Sequence, residues 1–213
     1  MKLYRFAHSC YARKVQILLE LLGRPHSVVD VPYADRNELA VLTGGYIQVP
    51  VLVDDDDTVV VDSRAICEYL LGETGSALVP SPWEGPIWAY ADWCDGPLED
   101  VCFRLASPGC RSQFTQPFER ALYTLVKERK FGRGCVDEWE RTADTLAAGA
   151  QTLLAPTVRT LQQRPFIFGD RPTLADAALY GQCAMLRLVE PGMPEALAPE
   201  LGPWMARVEA ARK

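Results

Sequence analysis

Gln48-Val49-Pro50-Val51-Leu52, followed closely by Asp62-Ser63, decides how the first part of this chain folds. Pro50 stands at the start of an apolar strand, where a proline removes one hydrogen bond of the sheet. Its position predicts a turn into the strand, with a Val49–Pro50 peptide bond that can be cis. Such a turn leaves the N–H and C=O of Val49 without partners, so that they can bind an extended, peptide-like ligand.

Asp62-Ser63 lies between the predicted strand 59–61 and the helical pattern 65–71. Side-chain oxygens and free N–H groups at a helix start can bind an amine or a carboxylate. One short unit therefore offers both a backbone binding edge and a site for a charged terminus.

Composition narrows the classes of partner. The net charge is −6 and the pI is about 5.0, which argues against nucleic acid or an anionic membrane as a partner. The acidic run 54–57 lies between two apolar strands and predicts a solvated hairpin turn. It lacks the glycine and the spaced ligands of a calcium loop.

Cysteine usage indicates a reducing compartment. Seven cysteines and two histidines show neither a Cys-x-x-Cys pair nor the spacing of a metal site. We therefore expect reduced thiols, no metal and a cytoplasmic protein. The sequence shows no signal-peptide pattern and no stretch long enough to span a membrane.

The pattern of strands and helices predicts two domains. Residues 1–75 follow the order βαβ-α-ββα, which predicts a small mixed sheet with helices on its faces. Residues 76–86 are rich in proline, glycine and serine and predict a linker. Residues 87–213 predict an all-helical domain, with helices over 87–105 (bent at Pro97), 118–130, 137–163 (kinked at Pro156), 173–188 and 203–213.

A capping box is predicted near the end of the chain. Thr173 and Asp176 have its spacing, with the hydroxyl and the carboxylate each accepting a backbone N–H of the other residue. Small residues then follow at helical spacing, including Gly181, and predict a tightly buried helix.

The Val-Pro at 49–50, the Asp-Ser at 62–63 and the Gly-Asp-Arg-Pro-Thr-Leu-Ala-Asp run at 169–176 resemble, in this order and spacing, the cytosolic glutathione transferase superfamily. The resemblance covers the whole chain. It implies an α/β thioredoxin-like N-terminal domain that binds glutathione, an all-α C-terminal domain for the co-substrate, and a homodimer.

The resemblance also assigns roles to individual residues. Val49, beside a cis Pro50, would pair its backbone with the cysteinyl part of glutathione. Asp62 and Ser63 would hold the γ-glutamyl end, and Gln48 would contact the glycyl end. Thr173 and Asp176 match a helix cap and stay outside the site.

The catalytic position departs from the family pattern, because His8-Ser9-Cys10-Tyr11 replaces the Ser-Pro or Cys-Pro of many bacterial relatives. Ser9 falls on the Ser/Cys position, where a hydroxyl at a helix start would stabilise the glutathione thiolate. Cys10 replaces the proline and could form a mixed disulfide with glutathione. Tyr4 ranks third, because it matches the Tyr-using classes only in a shifted alignment.

Several residues near the site also have simpler interpretations. Ser9 can be a plain helix cap, Cys10 a buried thiol and His8 a loop residue. Arg13 and Lys14 are expected to face solvent, with contact of Arg13 to the ligand or the dimer partner as the alternative. The run 127–130 is expected to be a solvated helix end, with a lid over the co-substrate cleft as the alternative. The aromatic cluster Trp83, Trp88, Tyr90 and Trp93 is expected in the core, with part of it lining the cleft for a hydrophobic co-substrate.

Three hypotheses on function follow. The first is transfer of reduced glutathione to a small hydrophobic electrophile, a detoxification chemistry. The second is glutathione-dependent disulfide exchange, reduction or isomerisation through Cys10. The third is a non-catalytic binding or regulatory protein with the same fold.

Overall fold

The computed structural model describes residues 1–72 and 77–213. The N-terminal strands are β1 (Lys2–Arg5), β2 (Ser27–Asp30), β3 (Val51–Val53) and β4 (Val59–Val61). The helices of the same N-terminal domain are α1 (Cys10–Leu22), α2 (Asn37–Thr43) and α3 (Ser63–Gly72). The predicted end of α3 at Glu73 and the Gly75-Ser76 part of the predicted linker lie outside the described residues.

The four strands form one sheet in the order β2-β1-β3-β4. β1 runs parallel to β2 and antiparallel to β3, and β3 pairs antiparallel with β4 around the acidic turn. The mixed sheet and the predicted element order are confirmed.

Neighbouring residues along the strands pack into two different hydrophobic cores, one on each face of the sheet. Leu3 and Leu52 are fully buried in the main core with α1 and α3, whereas Tyr4 and Val51 pack on Leu39 of α2. Because successive strand residues point to opposite faces, Tyr4 belongs to the α2 face of the sheet, together with Val51.

The second domain is helical. A 3-10 turn (Ser81–Trp83) precedes α4 (Glu84–Trp93), α5 (Glu99–Gln113), α6 (Pro117–Phe131), α7 (Cys135–Arg141), α8 (Ala143–Leu161), α9 (Leu174–Val189), α10 (Met193–Leu197) and α11 (Leu201–Ala210). A π-helical turn, Cys94–Leu98, joins α4 to α5 and contains Pro97. The predicted bend at this proline is a register change in a continuing helical run.

The predicted single helix over 137–163 is wrong, because the chain forms α7 and α8 there. Thr142 separates them with non-helical angles (φ −104°, ψ 18°), and its hydroxyl donates to the Glu138 carbonyl at 2.8 Å. Thr152 makes the same bond to the Ala148 carbonyl inside α8 without a break, so the hydroxyl bond of Thr142 accompanies the interruption and does not by itself cause it.

Helix α9 is the centre of the helical domain, and the predicted capping box at its start is confirmed. The fully buried Asp176 carboxylate accepts from the Thr173 N–H (2.9 Å), the Ile167 N–H (3.1 Å) and Trp204 Nε1 (3.0 Å). Burial raises the pKa of Asp176, although these donors oppose the shift.

Candidate active site

Ser9 is the N-cap of α1. Its Oγ accepts the Ala12 N–H at 3.2 Å, and its own N–H donates to the Phe6 carbonyl at 3.0 Å. A hydroxyl has one proton to donate and two lone pairs. The cap uses one lone pair of Ser9, so its O–H is left to donate to a ligand at the helix start.

Helix α9 fixes the position of this helix start. A Cβ placed on Gly181 would lie 2.4 Å from the Cys10 carbonyl oxygen and 3.0 Å from the Lys14 nitrogen. Only a residue without a side chain permits this approach. The first turn of α1 therefore rests directly on the most buried helix of the second domain.

The Val49–Pro50 peptide bond is cis. Val49 is half-buried and Gln48 is exposed. Within residues 1–72 and 77–213, neither the N–H nor the C=O of Val49 has a hydrogen-bond partner. These groups are available to a ligand, as the sequence predicts.

Asp62 occupies the left-handed region, with φ 76°, which is uncommon for a residue other than glycine. Its Oδ1 accepts the Arg64 N–H at 2.8 Å and so caps α3. Ser63 is buried, and its Oγ accepts from Lys14 Nζ at 3.1 Å. The Ser63 hydroxyl proton is free to point into the adjoining cavity.

Lys14 contradicts the expectation that it faces solvent, since it is only 2% exposed. Its ammonium donates to Ser63 Oγ and forms an ion pair with Asp95 of the π-helical turn. Burial opposes the charge on Lys14, but the neighbouring Cys67 and Asp95 outweigh it and raise the lysine pKa. The pair therefore ties α1, the start of α3 and the helical domain together.

All five predicted binding residues meet in one cavity, called here the binding groove. Its volume is about 510 Å³, and Gln48, Val49, Pro50, Asp62 and Ser63 all line it. The sequence separates these residues into two motifs, and the hairpin β3–β4 brings the motifs together.

A second cavity of about 180 Å³, the cleft, contains both candidate catalytic residues, Ser9 and Cys10. Gln48, Val49 and Tyr11 line the cleft as well as the groove, so the two cavities adjoin. A ligand held by Val49 in the groove therefore lies at the entrance of the cleft.

Cys10 and Ser9 differ in their surroundings. The Cys10 side chain is almost completely buried. Burial, then the nearby Glu99 and Asp95, raises its thiol pKa well above the ordinary value. A thiol held protonated is a poor nucleophile, so the structure weighs against Cys10 chemistry.

The cleft walls are not those expected from the sequence. None of Trp83, Trp88, Tyr90 and Trp93 lines the cleft, so that expectation is wrong. The aromatic walls are Phe6, Tyr11, Tyr33 and Phe103, which come from the loops around β1 and β2, from α1 and from α5. These positions carry no common sequence signal.

Charged residues also line the cleft, and the sequence did not single out Arg36 and Glu99 among them. Lys127 is half-buried there, rather than part of a solvated helix end, and Arg36 and Glu99 join it. Burial raises the pKa of Glu99 to about 7, and burial lowers that of Lys127 to about 8. Burial, followed by the cations Lys127 and Arg36, lowers the pKa of His8 to about 4, so His8 is neutral at pH 7.

In residues 1–72 and 77–213, no helix has the length and apolar character needed to cross a membrane.

The N-terminal domain is thioredoxin-like, because its four-stranded mixed sheet carries a cis-proline loop beside the groove. It is joined to an all-α domain. The family model for the glutathione S-transferase N-terminal domain matches residues 3–77, and the model for the C-terminal domain matches residues 128–207. The chain belongs to the cytosolic glutathione transferase superfamily.

Individual relatives agree with this assignment. Glutathione S-transferase PM239X14 of Arabidopsis thaliana is 27% identical over 213 residues, which cover 97% of this chain and 90% of the relative. Glutathione S-transferase CsGST63524 of Ceriporiopsis subvermispora, solved in complex with glutathione, superposes with TM-score 0.81 at 16% identity, covering 99% of this chain and 95% of its own. Glutaredoxin 2 of Salmonella typhimurium, also in complex with glutathione, gives TM-score 0.74 at 18% identity over 99% and 93%. These structures share the fold.

Proposed function

We propose that the protein binds reduced glutathione and transfers it to a small hydrophobic electrophile. The observation that carries the proposal is the meeting of groove and cleft at Val49, with the free Ser9 hydroxyl at the helix start. Family membership and the glutathione-bound relatives support the same ligand.

In this proposal the groove binds glutathione along its length. The N–H and C=O of Val49 pair with the cysteinyl residue, as a strand edge pairs with an added strand. The Asp62 carboxylate and the N-terminal end of α3 at Ser63 hold the amine and the carboxylate of the γ-glutamyl group. Gln48 contacts the glycyl end.

Ser9 then acts on the sulfur. Its O–H donates to the glutathione thiolate, which lowers the thiol pKa and releases the thiol proton to solvent. The thiolate electron pair forms an S–C bond with the electrophilic carbon. With an aryl halide, the carbon–halogen bond breaks and the halide leaves with its electron pair.

The test of Ser9 is the Ser9→Ala variant with Cys10→Ala as its matched control. Loss of a hydrogen bond to a charged group costs about 1.5–3 kcal/mol, so conjugation of an aryl halide should fall roughly tenfold to hundredfold. Thiolate absorbance should titrate at higher pH in the glutathione complex of Ser9→Ala. Cys10→Ala should retain conjugation and titration, and the opposite pattern would assign the chemistry to Cys10.

Simpler measurements distinguish glutathione transfer from its two alternatives, thiol exchange through Cys10 and a non-catalytic binding protein. Mass spectrometry after incubation with oxidised glutathione should find no adduct on Cys10, and an adduct would support thiol exchange. Retention on a glutathione resin separates both enzymes from a non-catalytic protein. A chain that fails to bind the resin would refute the proposed glutathione site.

We also propose a homodimer in a reducing, cytoplasmic environment. Val41, Ile47 and Val59 leave exposed apolar side chains on the thioredoxin-like domain, and every cysteine of the described residues is unpaired. Light scattering on the purified protein should give twice the 23.7 kDa of one chain, and a mass of one chain would refute the dimer.

A further inference from the structure

Lys127 has a specific environment in the cleft. Its Nζ lies 4.4 Å from the centre of the Tyr123 ring and 4.8 Å from that of Phe103. Within the described ranges no carboxylate lies within ion-pair distance of this ammonium. Cation–π contacts replace only part of the hydration that a buried ammonium loses.

Arg36 repeats this arrangement on the other side of the cleft. Its guanidinium carbon lies 4.8 Å from the centre of the Phe6 ring and 5.0 Å from that of Tyr33. The group donates to the carbonyls of Tyr33 and Ile47, both at 3.2 Å. It too has no carboxylate partner in the part of the chain that the structure describes.

The other titratable groups facing Lys127 leave the cleft cationic at neutral pH. His8, from the loop before α1, is neutral because its pKa is lowered to about 4 by burial. Cys110 of α5 and Tyr123 of α6 are protonated, since burial raises both pKa values. Glu99 is the acidic group, and burial raises its pKa to about 7, so it is only partly ionised.

We propose that the electrophile accepted by this cleft is a planar, aromatic compound carrying a carboxylate or a comparable anionic group, which Lys127 binds. The inference rests on the glutathione transfer proposed above and names the class of its second substrate. Arg36 adds a second positive charge, and Phe6, Tyr33 and Phe103 line the cleft with aromatic carbon that the aromatic part of the substrate can contact. An incoming anion gives the buried ammonium the partner that the protein does not supply.

The kinetic test compares a chlorodinitrobenzoate with the corresponding chlorodinitrobenzamide, which has nearly the same shape and no charge. Each enzymatic rate is divided by the uncatalysed rate with glutathione, to remove differences in intrinsic reactivity. At pH 6.5 we expect kcat/KM to favour the benzoate. Lys127→Met should lower this preference roughly tenfold, and Lys127→Arg should restore it.

Arg129→Met is the matched control, because Arg129 is an exposed cation two positions further along α6, is absent from the cleft lining, and is not among the charges that shift the pKa of Lys127 or Glu99. It changes the net charge equally and should leave the preference unchanged. Equal rates for benzoate and benzamide in the wild type would overturn the anion proposal while leaving glutathione transfer intact.

A binding experiment tests the same inference without turnover. Calorimetric titration with dinitrobenzoate and dinitrobenzamide, which lack the leaving chlorine, measures the charge preference when no conjugation can occur. S-methylglutathione is present to fill the groove. Tighter binding of the benzoate that is lost in Lys127→Met supports the proposal even for an inactive protein, and equal binding of the two compounds refutes it.

Discussion

The contact between Gly181 and the Cys10 carbonyl gives the sharpest test of how the helical domain positions the site. Gly181→Ala places a methyl group 2.4 Å from that oxygen and 3.0 Å from the Lys14 nitrogen. Both atoms belong to the backbone of α1, so no side-chain rotation relieves the overlap. Helix α9 or the first turn of α1 has to move, and Ser9 moves with that turn.

The expected change in the unfolding free energy of Gly181→Ala is the sum of two opposing effects. Alanine gains about 1 kcal/mol over glycine inside a helix, whereas overpacking a close contact costs about 1–3 kcal/mol. At Gly149 of α8, the added methyl would meet only Val101 Cγ1 at 3.8 Å, an ordinary contact. Gly149→Ala should therefore be neutral or more stable. Because both variants gain the same helix propensity, Gly181→Ala should be less stable than Gly149→Ala by the overpacking cost alone, about 1–3 kcal/mol.

Urea unfolding of the two variants measures this difference, and glutathione affinity and aryl-halide conjugation measure its effect on the site. We expect Gly181→Ala to lose conjugation even at temperatures where it is fully folded, because Ser9 is displaced. Gly149→Ala should conjugate at the wild-type rate. A Gly181→Ala variant as stable and active as Gly149→Ala would show that α9 does not position α1.

Three further changes test the buried polar groups. Lys14→Met leaves Asp95 without its partner and should cost about 3 kcal/mol in urea unfolding, with part of the loss recovered by adding Asp95→Asn; a wild-type midpoint would contradict the ion pair. Asp176→Asn replaces one carboxylate oxygen by an NH2 group that faces two donors, either Ile167 N and Trp204 Nε1 or the N–H and hydroxyl of Thr173. It should lower the unfolding free energy by about 2–4 kcal/mol and change the fluorescence of the buried Trp204; an unchanged unfolding midpoint would count against the cap. His8 has a folded pKa of about 4, below its unfolded value of 6.5, so its contribution to stability is complete above pH 6.5 and is lost, by about 3 kcal/mol, as pH falls towards 4. His8→Phe should therefore flatten the acid limb of stability against pH, and an acid limb identical to that of the wild type would refute the burial of a neutral histidine.

The fold could be predicted closely from sequence because its signals are local. Alternating apolar residues, Pro50 and the Thr173–Asp176 cap each act within a few positions of the chain. The failure at Thr142 shows the limit of such signals. Thr142 and Thr152 look alike by pattern, and each hydroxyl bonds to the carbonyl four residues earlier, yet the helix is interrupted at Thr142 and continues through Thr152.

The groove was predictable for the same reason. Val49, Asp62 and Ser63 offer backbone groups and a helix start, and their geometry follows from the hairpin β3–β4 whose ends they flank. Lys14 was mispredicted because its partner, Asp95, lies 81 residues away. Burial of a lysine is costly without a counter-ion, and no local pattern reveals that the π-helical turn supplies one.

The glutathione groove can be predicted from sequence more readily than the cleft for the second substrate. Its walls combine residues from the loop before α2, from α5 and from α6, and only the packing of the two domains brings Arg36, Glu99 and Lys127 together. Glutathione recognition through backbone groups fixes few side chains, so the same groove serves many sequences. The charge of the second substrate depends on side chains that the groove leaves free to vary. In this chain those side chains are two cations without a carboxylate partner in the described residues and one carboxyl that is only partly ionised at neutral pH. The cleft therefore selects for negative charge, where its aromatic walls alone would select for hydrophobicity.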